Sequence, residues 1–106
     1  MNSRDKGKRG ELEAAHLLQK YGYDARRGQQ FAGINGDADV VGLPGIHIEV
    51  KRVEKLNIDD ALEQSASDAR LGEVPVVMHR KNRVPWKITM LFADWMEFYK
   101  AWERDK

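Results

Sequence analysis

A chain of 106 residues is the size of one domain, with room for a single hydrophobic core. Its 42% hydrophobic and 33% charged residues describe an ordinary globular protein rather than a disordered one, and the absence of cysteine excludes disulfide, thiol and zinc-thiolate chemistry. Formal net charge is +1, so attraction to a polyanion has to come from where the charges sit. They are clustered: Arg4, Lys6, Lys8 and Arg9 open the chain, then come Arg26 with Arg27, Lys51 with Arg52 and Lys55, and Arg80, Lys81 and Arg83. Basic patches beside carboxylates suit a phosphodiester enzyme, although each run alone equally suits a solvated turn. No stretch has the length of a signal peptide or a membrane span, so a cytoplasmic location is the default expectation, host cytoplasm if the chain is phage-encoded.

The whole of 1–106 is expected to be one domain, with residues 1–8 (MNSRDKGK) flexible and ordering on a polyanion. From Arg9 to Tyr21 the pattern turns helical, with Ala14, Leu17, Leu18 and Tyr21 on one stripe and Gly22 as the C-cap. Glu11 lies on or beside that stripe, and a first-turn glutamate favoured by the helix dipole explains it as well as a functional role does. Glu13, rotated away, reads as an ordinary surface residue. A short strand over 23–27 follows, then a glycine-rich loop over 28–36 that carries Gln29, Gln30, Phe31 and Asn35.

Residues 36–52, GDADVVGLPGIHIEVKR, predict two strands joined by a Gly-Leu-Pro-Gly turn. Alternation puts Asp37, Asp39 and Val41 on one side of the first strand, and His47, Glu49 and Lys51 on one side of the second. The opposite side, with Ile46, Ile48 and Val50, is a core face, and the acidic side reads as a charged surface. Two carboxylates on adjacent strands repel unless a cation lies between them, which makes a hard metal site the leading idea beside a plain solvated hairpin.

A second helix opens at Asn57, an N-cap reaching Asp60, and carries Ile58, Ala61, Leu62, Ser65 and Ala69 on its apolar stripe until Gly72 stops it. Gln64 sits on another edge and in isolation reads as solvent-facing. Val74 to His79 is a strand, with Pro75 arguing for an edge or a first-residue placement. Val84 to Met90 is a further strand, and the last helix is expected to begin at Asp94, capped with Glu97, and to present Trp95, Phe98 and Trp102 as core or subunit contact. The order defines an α/β domain with a mixed sheet flanked by helices. A helix between the Glu49 and Val76 strands implies that they run parallel.

Glu11, Asp39 and Glu49 together, supplemented by the Val50 carbonyl, make an oxygen-only ligand set of the kind that suits Mg²⁺ or Mn²⁺ and not zinc. Lys51 beside them would place positive charge near an attacking or leaving oxygen, or pair simply with an acid. His47 is a candidate outer substrate contact or a structural histidine. Asp37 replaces Asp39 as the ligand if the strand register differs.

Asp39 followed after a short hairpin by Glu49-Val50-Lys51 resembles the PD-(D/E)xK nuclease signature, with Ala38 where that family often has proline. Arg9-Gly10-Glu11 on the first helix and Gln64 on the helix after the motif make the chain resemble, within it, the small Holliday-junction-resolvase-like and phage VRR-NUC-type nucleases. The resemblance spans roughly Gly7 to Met90. It implies a restriction-endonuclease-like αβββαβ core and a Mg²⁺- or Mn²⁺-dependent endodeoxyribonuclease that hydrolyses phosphodiesters of branched or Holliday-junction DNA as a homodimer. It assigns Glu11, Asp39 and Glu49 as metal ligands, Lys51 as the catalytic lysine and Gln64 as a supporting residue of the site. The alternative from another class is a nucleic-acid-binding or assembly protein that has the fold without turnover.

Overall fold

The computed structural model describes residues 3–29 and 37–106. Most of the glycine-rich loop, including Gln30, Phe31 and Asn35, lies outside them. Helix α1 spans Ser3–Lys20 and α2 Ile58–Asp68, and α3 spans Phe92–Arg104; the strands are β1 Arg26–Arg27, β2 Val40–Val41, β3 Ile46–Arg52, β4 Val74–Arg80 and β5 Lys87–Met90. Among the described residues they form one five-stranded sheet in the order β1-β2-β3-β4-β5. Only the β3–β4 pair is parallel, with Glu49 opposite Val77, and α2 is its crossover, as the element order predicts.

The core lies between α1 and one face of the sheet. Ala14 and Ala15 of α1 pack with Val40, Ile48, Val50, Val76 and Met78, and Leu17 and Leu18 close the rim. Small residues let the helix sit low on the strands; a side chain at Gly10 would put its Cβ 3.1 Å from that of Arg52. Tyr21 does not join the stripe, because α1 stops at Lys20 and leaves it exposed. At the other end α1 reaches back to Ser3 rather than starting at Arg9. Extending a helix costs far less than nucleating one, so the stripe anchors a polar extension.

On the opposite face, α2 packs over β3 and β4 through Ala61 and Ser65. The Ser65 hydroxyl, fully buried, lies 3.3 Å from the His47 carbonyl and 3.0 Å from that of Val76. This overturns the expectation of a charged surface: His47 and Glu49 are only 4% and 5% exposed. Alternation identifies which side chains share a face but not which helix covers it.

The ends of α2 and α3 differ from expectation in instructive ways. Asn57 does cap α2, accepting a hydrogen bond from the Asp60 N–H at 3.1 Å. That helix ends at Asp68, before Gly72. Helix α3 begins at Phe92 with no side-chain cap, so Asp94 lies in its first turn, where the helix dipole favours an acid. Pro75 is the second residue of an interior strand, so its placement near the strand start, and not an edge, accommodates it.

Candidate active site

Five side chains singled out in the sequence meet in one cleft of about 410 Å³. Glu11 enters it from α1, Asp39 from the turn before β2, Glu49 and Lys51 from β3, and Gln64 from α2, with Val50 in its wall. Asp39 is fixed by its own backbone. Its N–H donates to the Ile48 carbonyl at 3.1 Å and its carbonyl accepts from the Gly28 N–H at 2.9 Å, while its Oδ2 accepts from the Val50 N–H at 2.9 Å. Asp37 is directed elsewhere. It lines a separate cavity of about 150 Å³, accepts from the Gln29 N–H at 3.1 Å and lies 3.9 Å from Arg70.

The electrostatics of the cleft are those of crowded carboxylates. Burial and repulsion by Asp39 push the Glu49 carboxyl up to about 7, against its ordinary 4.5. Asp39 is itself raised by burial, with the Val50 N–H opposing the shift. Glu11 is raised by burial and by Asp39, and is partly compensated by Arg27, whose Nε lies 3.0 Å from Glu11 Oε1. Lys51 Nζ stands 3.9 Å from Glu49 Oε2. A proton retained between carboxylates marks a place that prefers positive charge. The carboxylates offer only oxygen donors, a set that fits a hard divalent cation.

The cleft is flanked by cations. Lys6 and Arg52 border it and also border a neighbouring groove of about 520 Å³ that contains Arg9. Beyond Val53, a third hollow carries Arg80, Lys81 and Lys87. Glu13 organises this side and is no ordinary surface residue. Its carboxylate lies 3.0 Å from Arg52 Nε and 2.7 Å from Arg80 Nε, and accepts from the Trp86 indole N–H at 3.2 Å. Those partners come from three strands or turns, so sequence spacing along α1 carried no signal of them.

No protein-family model matches the sequence, and no curated protein matches it. Among solved structures the chain is similar to Archaeoglobus fulgidus Hjc, a Holliday junction resolvase from an archaeal hyperthermophile. The two share 30% sequence identity with a TM-score of 0.59, over 80% of this chain and 72% of that one. The mixed sheet, with Asp39 and the Glu-x-Lys strand beside a helix-borne glutamate, is the PD-(D/E)xK-type nuclease fold. Within that fold, the chain belongs to the Holliday-junction-resolvase-like family.

Proposed function

We propose that the protein is a divalent-metal-dependent endodeoxyribonuclease that cuts branched DNA, four-way junctions included, and that it works as a homodimer in the cytoplasm. The observation that carries this reading is the convergence of Glu11, Asp39, Glu49, Lys51 and Gln64 on one cleft bordered by basic residues. The likeness to an archaeal resolvase supports the choice of substrate.

Glu11, Asp39 and Glu49, with the Val50 carbonyl, would hold Mg²⁺ or Mn²⁺. When bound, the cation supplies Lewis acidity toward the scissile phosphate and acidifies the attacking water. Lys51, beside Glu49, balances the negative charge that grows on the phosphorus oxygens and orients the water against them. Gln64 brings a neutral donor and acceptor to the α2 side of the cleft, suited to positioning either the water or the phosphate. Lys6, Arg9 and Arg52 hold the DNA backbone along the groove beside the cleft, a contact that weakens as salt rises.

Resolving a junction requires two incisions related by symmetry, hence two sites. Helix α3 supports a dimer: none of its residues is buried, and Phe92, Trp95, Phe98 and Trp102 are 74%, 47%, 46% and 54% exposed. Aromatic residues are enriched in subunit interfaces. Incubating the protein with a synthetic four-way junction and Mn²⁺ and mapping the products should give paired, symmetry-related nicks. DNA binding without cleavage in either Mg²⁺ or Mn²⁺ would instead favour a non-catalytic binding protein of the same fold.

A further inference from the structure

Glu49 belongs to two groups of side chains. Besides the cleft, it meets His47 and Asp68, and one ligating atom from each of the three lies within 4.8 Å of the other two. The cleavage chemistry above uses neither His47 nor Asp68.

His47 is 4% exposed, and its Nε2 is buried without a hydrogen-bond partner. Leaving a buried polar atom unsatisfied is destabilising. Its other ring nitrogen, Nδ1, lies 3.6 Å from Glu73 Oε1, and the Arg70 N–H holds that same oxygen at 2.7 Å. A carboxylate near one imidazole nitrogen, with the other left open, is an arrangement in which proteins present histidine to a metal.

Asp68 adds an independent oddity. It is the last residue of α2, where the helix dipole is negative, and the last turn of α2 contains no basic residue. Its charge also repels Glu49. An acid in that position is unfavourable unless a positive charge sits beside it.

We propose that His47, Glu49 and Asp68 form a second divalent-cation site, sharing Glu49 with the cleft and taking a cation with affinity for imidazole, such as Mn²⁺ or Co²⁺, in preference to Mg²⁺. A nitrogen donor discriminates against Mg²⁺, which favours oxygen and retains its waters. With metal–ligand bonds of about 2.1 Å, ligand atoms around one ion are about 3 Å apart at right angles and about 4.2 Å apart when opposed. A span of 4.8 Å therefore closes on an ion by small side-chain rotations. Asp68 is exposed and gives the open edge through which the ion enters.

The test is a Mn²⁺ titration of the full chain followed by electron spin echo, in which a directly bound imidazole imprints a nitrogen modulation on the Mn²⁺ signal. Wild type should bind two ions, one with nitrogen coupling. His47→Gln should abolish the coupling. Asp68→Asn, at an exposed position that leaves the fold intact, should weaken the nitrogen-coupled ion by about tenfold or more. Asp39→Asn should keep that ion and lose the other. A wild-type spectrum without nitrogen coupling overturns the proposal, as does coupling that persists in His47→Gln or is bound as tightly in Asp68→Asn. Those results would leave the Glu11–Asp39–Glu49 reading standing, which Asp39→Asn tests separately.

Discussion

In the cleft, α1 and α2 draw carboxylates out of water, leaving Glu49 only 5% exposed, whereas α3 leaves five large aromatic side chains in it. The same small domain thus buries charge at one place and exposes apolar surface at another. Along α3, Phe92, Trp95, Tyr99 and Trp102 stack in sequence, with ring centroids 5.6–6.2 Å apart, so the exposed surface is a continuous ladder and not scattered residues. Each arrangement is unfavourable in an isolated chain and becomes favourable with a companion of the right chemistry; the function proposed above supplies a cation for the carboxylates and a second copy for the ladder. Buried charge points to chemistry, and exposed aromatic surface points to assembly.

Breaking the two regions separately should therefore have different consequences. On the cleft side, Lys51→Ala should lower junction cleavage by about 10² to 10³-fold in single-turnover assays while DNA binding, read by mobility shift, changes little. On the α3 side, Trp95→Glu or Trp102→Glu should weaken the dimer by about 30-fold or more, the effect of losing one interface hot spot, as read by sedimentation velocity. Nicking of one strand should persist in those variants while paired incision is lost. A dimer that survives both substitutions would place the interface elsewhere.

A smaller effect sharpens the comparison through pH. The folded protein holds the Glu49 proton up to about pH 7, whereas the unfolded chain releases it near 4.5. The stabilisation this proton gives is therefore complete below pH 4.5 and is lost as pH rises through 7. Glu11 and Asp39, also raised, act in the same direction. Melting temperatures in chelator should fall from pH 5 to pH 8. Mn²⁺ should restore them by replacing the proton, and Glu49→Gln should flatten the profile. A profile equally steep in Glu49→Gln would remove Glu49 as its source.

Much of this molecule is legible along the chain because its signals are local. The order of elements, the Asn57 cap, the parallel β3–β4 pair and the approach of Glu11, Asp39, Glu49 and Lys51 follow from spacing and alternation, whereas Gln64 joins them only through the resemblance to PD-(D/E)xK nucleases. What escaped depends on contacts between distant segments. Alternation put His47 and Glu49 on one face but could not say that α2 buries it. Helical rotation set Glu13 apart from the stripe but could not foresee Arg52, Arg80 and Trp86 arriving from elsewhere. An amphipathic stripe on α3 looks the same whether its partner is the core of its own chain or another chain.

The most direct measurement of the central claim is the rate at which Asp39→Asn and Glu49→Gln cut a four-way junction in Mg²⁺, compared with wild type at equal DNA occupancy. Both variants remove a ligand oxygen and relieve carboxylate repulsion, so cleavage should fall by about 10³-fold or more, the several kcal/mol that a metal supplies, in proteins that stay folded. Cleavage at the wild-type rate by both variants would contradict the assignment of this cleft as the place where the phosphodiester is cut.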